Sequence, residues 1–557
     1  METRRYILAI GLSMLVLMTY FRFFAPQPVE QAPQEAPQTA AKETVEEKTP
    51  APRLKQAGVA AVIPVATKGR DIVIETDVLK AVVNTAGGVI TKWELKQYRE
   101  SNKEEVGVGV LWRKLTGPAQ EARPKPVLGN VKLFTLYERM NREDIVAPLT
   151  ITPTDKALRN LSAVEFRASA ESVRLDKDNK TQTLVLTYAG PAGIAIEKKL
   201  TFHNNEFKVD VAIATKGVDG YTVALGTDFG ISDKISTDAN GRVGIVAVVD
   251  GKTVREKIDS VKGEMQHAGI IDWVGQEDKY FTATLLYGGQ GIVTTKKISA
   301  PKEIGDLLNT ELLVKDKPES RTLTLYAGPK SFTTLAAYGK GLETMVDYGW
   351  FGLLAKPMFW LMQQFYIFTG NYGIAIILLT IVVRIILFYP SLKSATAMEE
   401  MKALQPEMTA LREKFKKDPQ KLNQEMMRLY KEHKVNPLGG CLPMVLQLPF
   451  FVALYNVLSV SIELRQASFI PFWIKDLSVY DPFYILPVLM GVSMVFTMKM
   501  TSTSVDPQQQ KIMMFMNIAF IFLFAWLPAG LLLYITLSNV LSIVQQLYVR
   551  KIIAAGK

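Results

Sequence analysis

A chain of 557 residues, 48% hydrophobic and 21% charged with a net charge of +11, is long enough for several domains. Its mean hydropathy of +0.11 averages two unlike parts. From about Thr67 to Asp347 the sequence reads as soluble, whereas from Trp350 onward apolar runs of bilayer-spanning length alternate with polar links. The surplus Lys and Arg are spread through the soluble part or placed beside apolar runs, a pattern of membrane topology rather than of direct nucleic-acid binding. The single cysteine, Cys441, excludes an intramolecular disulfide and CxxC chemistry.

In chain order, Arg4 and Arg5 precede an apolar run from Tyr6 to about Phe24. At roughly 19 residues this run is long for a signal h-region, and Ala25-Pro26 offers no small-x-small cleavage site. Residues 1–24 therefore read as an uncleaved transmembrane anchor. No cysteine follows that would make a lipoprotein. Residues 25–66, rich in Pro, Gln, Glu and Ala, bury too little surface to offset chain entropy and read as a flexible periplasmic linker.

Residues 67–347 carry short alternating runs such as Asp71–Glu75, Thr183–Thr187 and Phe207–Val211, bounded by Gly, Asn and Asp. Period-two alternation means half-buried antiparallel strands, and many of them predict a large periplasmic all-β sandwich. The segment contains His203 and His267 but no HExxH, GxSxG or GxxxxGK string, so a binding or spacing module is favoured over an active site. Asp and Glu are abundant, which leaves a carbohydrate-active enzyme on an anchor as an alternative.

Residues 348–369 are apolar and aromatic but include Lys356, Pro357, Gln363 and Gln364, and predict an amphipathic helix lying in the interface. Spans are expected at about 371–390, 441–462, 484–498, 512–527 and 531–549, within a core covering 371–550, followed by a short cytoplasmic tail at 551–557. With the anchor these make six spans. The basic residues near span ends then fall on one side, which places both termini in the cytoplasm and the β domain in the periplasm. Residues 393–434, broken near Asp418-Pro419, read as a cytoplasmic helical hairpin whose first arm repeats Met401, Leu404, Met408 and Leu411 at helical spacing. That stripe either packs the two arms together or, with basic residues such as Lys414 at its rim, greets nascent apolar segments.

Arg384 lies among Ile381, Val382, Val383, Ile385, Ile386 and Leu387. A guanidinium in a span costs roughly 2.5 to 3.5 kcal/mol, so water or a partner must compensate it. Snorkelling to nearby headgroups is one solution. The other is a wet cavity, supported by Thr380 one turn earlier and by Gln447, Asn456, Asn517, Thr536, Ser538 and Asn539 on other spans, although each alone is commonly helix–helix glue. Carboxylates are absent from the span middles, which weighs against an ion-coupled transporter. No nucleotide or metal motif calls for a cofactor.

From Asn371 onward the chain resembles the YidC/Oxa/Alb family of membrane protein insertases, in its Gram-negative form. The resemblance is carried by Val383-Arg384, by Asn436 to Cys441, by Glu463-Leu464-Arg465-Gln466-Ala467 and by Asp481-Pro482 with Tyr484 to Pro487. It continues in Asp506-Pro507 with Gln509 to Met513, and in Pro528 to Asn539. The family implies a β-supersandwich in the periplasm and a five-helix transmembrane bundle enclosing a hydrophilic groove that is closed towards the periplasm. It implies Arg384, Thr380, Gln447 and Tyr534 as groove residues. Leu448, Phe451, Leu523 and Phe524 would form a hydrophobic slide, and Met401, Met408 and Lys414 hairpin contacts. The implied activity is non-enzymatic insertion and folding of nascent membrane proteins, alone or with the Sec translocon and ribosome–nascent-chain complexes. Ile535, where a second aromatic beside Tyr534 is expected, and the C-terminus at Lys557, without a long basic tail, depart from the pattern.

Overall fold

The structure, a computed structural model, describes residues 69–100, 130–133, 144–227, 243–299, 306–315, 321–416, 418–433, 442–501 and 507–555. The expected anchor (1–24) and linker (25–66) lie outside the described residues.

The first two alternating runs form or lie in the strands Asp71–Glu75 and Thr181–Ala189, and the third opens the strand Lys208–Lys216 with Phe207 just before it. In Asp71–Glu75 the alternation is literal, with Ile72 and Ile74 buried between exposed neighbours. Among the described residues the strands make a five-stranded sheet and a twelve-stranded sheet, the latter centred on the long antiparallel pair Glu264–Glu277 and Phe281–Ile298. One apolar core joins them, containing Trp93 from the smaller sheet and Phe202, Trp273 and Leu325 from the larger. The Trp93 indole donates across the layers to the Ala327 carbonyl at 2.8 Å. A buried indole N–H left unpaired would cost far more than the bond returns, so this contact helps fix how the sheets sit.

Lys198 ties the sheets together a second time. It points inward from the strand Ala195–His203 and is fully buried. Its ammonium donates to the carbonyls of Gly87 at 2.7 Å, Gly88 at 3.0 Å and Leu149 at 2.8 Å, and lies 5.1 Å from the centre of the Phe166 ring. Gly87 and Gly88 turn between two strands of the smaller sheet at φ 75° and 57°. A Cβ at Gly88 would stand 3.2 Å from both Leu186 and Phe166, so glycine suits both the turn and the close approach.

Burial pushes Lys198 down from 10.5 to about 7. The unfolded chain therefore holds a proton that the folded chain lacks between pH 7 and 10.5. Stability from this site is present above the higher value and is lost as pH falls towards the lower one. Comparing thermal unfolding of the solubilised protein with its Lys198→Met variant should show the wild type gaining on the variant as pH rises from about 7 to 9.5. A gap that is constant with pH would show that the ammonium keeps an ordinary affinity for its proton.

A buried ion network closes the exit of the β domain. Glu277, at the end of its strand, receives both Lys330 and Arg255, while Lys330 also donates to the Asp278 carbonyl and Arg255 to that of Thr344. Directly after Lys330, the Ser331 hydroxyl caps helix α1 (Phe332–Tyr338) by accepting from the Thr334 amide.

Helix α2 (Gly352–Thr369) buries Ala355, Met358, Phe359 and Met362, and exposes Leu353, Trp360, Ile367 and Phe368. Asn371 then caps helix α3 (Tyr372–Ile386), its side-chain oxygen accepting from the amides of Gly373 and Ile374. The expected run 371–390 is not one straight helix, because α3 stops before Leu387 and helix α4 (Phe388–Ala403) leaves at 58°. Pro390 supplies the reason: it has no N–H for the Ile386 carbonyl and its ring collides with it, yet it is tolerated in the first turn of a new helix.

Helices α5 (Gln405–Lys414) and α6 (Pro419–Glu432) are joined where the sequence places the break, with Asp418 accepting from the Lys421 amide at 3.1 Å. Between them Leu404, Met408 and Leu429 form a small core with Met401, Leu411, Met426 and Tyr430. Helix α7 (Leu442–Val460) contains Pro449. The buried carboxylate of Asp481 accepts from the Trp473 indole and from the amides of Phe483 and Leu486, fastening the start of helix α8 (Ile485–Thr501). Helices α9 (Pro507–Phe524) and α10 (Ala529–Ala555) complete the chain.

Among the described residues, one helix segment, Ala529–Val549, is long and apolar enough to cross a membrane, and a second qualifies if the bent pair α3 and α4 is one span. Leu446–Val460 and Ile485–Met498 are shorter apolar helices.

Candidate functional site: a polar cluster inside an open arc of helices

The C-terminal helices pack in the order α7, α2, α3, α10, α8, α9, with α7 also reaching α10. Apart from that α7–α10 contact the order is an arc running from α7 to α9.

Arg384 sits in the last turn of α3 and turns inward. Its Nε donates to the Ser538 hydroxyl at 3.1 Å and one Nη to the Ser538 carbonyl at 2.5 Å. The guanidinium is thus held by α10. Among the described residues no carboxylate pairs with it. Gln447, on α7, donates to the same Ser538 hydroxyl at 3.4 Å. Tyr534 lies one turn before Ser538 and is buried, with its hydroxyl beside Ser538 and Gln447 but lacking a well-aligned hydrogen bond.

Of the expected groove residues, Arg384, Gln447 and Tyr534 therefore meet. Thr380 does not join them, because it is fully buried and its hydroxyl donates back to the Ile376 carbonyl at 2.6 Å. Asn456 and Asn539 serve as glue, donating to the Tyr348 carbonyl at 2.7 Å and to the Ser493 hydroxyl at 3.2 Å. Ser538 is the residue that sequence reasoning left among such glue; its i, i+4 spacing from Tyr534 is the signal that could have marked it.

Leu448 and Leu523 are half exposed, on α7 and α9 at the two ends of the arc. Phe451 is partly buried on α7, and Phe524 stacks on Phe520 with ring centres 5.3 Å apart. In the hairpin, Met408 is buried between the arms and Met401 is partly buried beside it, so the repeated apolar stripe packs the arms together instead of facing outward. Lys414 is exposed, over the Phe415 ring.

The β domain rests on the segment after α7. Arg465 lies over the rings of Tyr280 and Phe281, and Gln466 donates to the Arg99 and Glu100 carbonyls. The Glu463–Ala467 string of the sequence resemblance is thus a docking strip for the β domain.

Comparison with known proteins gives the class first. Residues 364–556 match the 60Kd inner membrane protein family and residues 125–361 the YidC periplasmic domain, which together define a bacterial inner-membrane protein with a periplasmic β domain. The membrane protein insertase YidC of Geobacter metallireducens is 35% identical over 572 residues, covering 100% of this chain and 99% of that one. The one of Geotalea daltonii is 33% identical over 571 residues, covering 99% and 100%. A solved active YidC insertase with its first transmembrane domain resolved aligns over 87% of this chain and 94% of its own, with 18% identity and a TM-score of 0.37. The chain belongs to the YidC family of membrane protein insertases.

Proposed function

We propose that this insertase moves hydrophobic segments of nascent proteins from the cytoplasm into the inner membrane through the space enclosed by the arc of helices, and assists their folding there. The chain crosses the membrane six times with both termini in the cytoplasm. Its core is a five-helix bundle made from α3, α7, α8, α9 and α10, and the first span is the N-terminal anchor. A client's polar or acidic flank enters the arc and is drawn to Arg384, while its apolar segment leaves between α7 and α9 past Leu448, Phe451, Leu523 and Phe524. Burial of each client CH2 in lipid contributes roughly 0.8 kcal/mol, so the protein lowers a kinetic barrier and needs no covalent or nucleotide chemistry. The hairpin presents its outer face to ribosome–nascent-chain complexes, and the Sec translocon shares a subset of clients.

The observation that carries this reading is an inward-held guanidinium with no carboxylate partner among the described residues, inside an arc whose two ends expose apolar side chains. Site-specific crosslinkers at Phe451 and Leu523 should capture a stalled nascent membrane protein, and one at Leu353, on the exposed face of α2, should capture much less. Equal capture at all three positions would remove the basis for a defined exit between α7 and α9.

A further inference from the structure

We infer that Ser538 is a positioning residue that aims the Arg384 guanidinium at the client, an inference that rests on the groove reading above. Ser538 is 2% exposed and joins three helices through one side chain, since its hydroxyl accepts from Arg384 on α3 and Gln447 on α7 while belonging to α10. A hydroxyl oxygen has two lone pairs and one proton. The two incoming N–H groups occupy both lone pairs, so the proton is left to point elsewhere, and the Tyr534 hydroxyl stands one turn away on the same helix.

The geometry at Arg384 is more restrictive still. Its side-on edge, made of Nε–H and one Nη–H, is taken up by the hydroxyl and the carbonyl of the same serine. A planar guanidinium held along that edge cannot swivel, and its end-on edge, with one N–H on each terminal nitrogen, is left to face a client. An acceptor such as a carboxylate in a client flank therefore docks end-on, in a direction that Ser538 sets. Removing the hydroxyl keeps the charge and the carbonyl contact but frees the plane to rotate.

The test is a double-mutant cycle in cells depleted of the native insertase, with variant levels matched by immunoblot. Two clients differ in the charge of the translocated tail, one acidic and one neutral. Arg384→Ala is expected to lower insertion of the acidic client strongly, and Ser538→Ala to lower it roughly fivefold, the scale of one ordinary net hydrogen bond, because the Ser538 carbonyl still holds the guanidinium. The neutral client should change by less than about twofold with Ser538→Ala. The double variant should be no worse than Arg384→Ala alone, since a residue acting through Arg384 has nothing left to position.

An additive double variant, or an equal loss for both clients, overturns the inference because either result gives Ser538 a role independent of Arg384. Normal insertion by Ser538→Ala beside a defective Arg384→Ala also overturns it while leaving the groove reading intact. Normal insertion by Arg384→Ala removes both.

Discussion

Arg384→Ala should reduce insertion of clients with acidic translocated tails by about tenfold to a hundredfold, the range that corresponds to losing a charge-assisted interaction of roughly 1.5 to 3 kcal/mol. The loss should be smaller for clients whose translocated part is short and neutral. Arg384→Lys should retain the charge but fall between wild type and alanine, because an ammonium cannot hold both the Ser538 hydroxyl and carbonyl while offering a planar edge to a client. Pulse-labelling of clients in depleted cells, with protease protection as the readout, measures this directly. If alanine inserts every client at the wild-type rate, attraction to the guanidinium plays no part in the mechanism.

The second large effect is on stability. Lys330→Ala removes a buried cation from Glu277, whose side chain is 2% exposed, and leaves Arg255 as its remaining ionic partner at the margin of the site. Breaking a buried pair from one side costs roughly 3 to 5 kcal/mol, because the surviving charge stays desolvated. For a domain of this size that corresponds to a fall of about 10 °C in the unfolding midpoint of the solubilised protein. The Lys330→Ala, Glu277→Gln double variant should recover part of the loss, since it also withdraws a buried carboxylate that Arg255 meets only from the margin. A double variant less stable than the single one would mean that Glu277 is satisfied by Arg255 alone. The wider consequence is positional, because this network holds the chain where it leaves the β domain for α1 and α2.

Much of this architecture was readable in the chain itself. Asp71–Glu75 alternates because one face meets a core, and Pro419 starts a helix behind an Asp418 cap because proline has no N–H to lose there. Arg384 stood out because a charge among isoleucines and valines demands an explanation, and the structure supplies one in Ser538. What the sequence hid were choices made by tertiary partners. Thr380 was expected beside Arg384 on the basis of helical spacing, yet a threonine hydroxyl within a helix can bond its own backbone four residues earlier, and here it does. Met401 and Met408 sit at spacings that fit either an outward surface or a hairpin seam, and only the position of Leu429 and Tyr430 on the second arm decides between them. Lys198 gave no signal at all, because an inward lysine is legible only when three carbonyls from distant segments converge on it.

The break before Pro390 sets the length of α3. Helix α3 has 15 residues, which at 1.5 Å per residue rise about 22 Å, against a hydrocarbon slab of roughly 30 Å. With α3 as a span of the proposed bundle, lipids bordering so short a helix would compress their acyl chains, a cheaper response than leaving polar backbone in oil. On the proposed topology the bilayer would thin around α3, and a client flank bound for Arg384 would have that much less oil to cross.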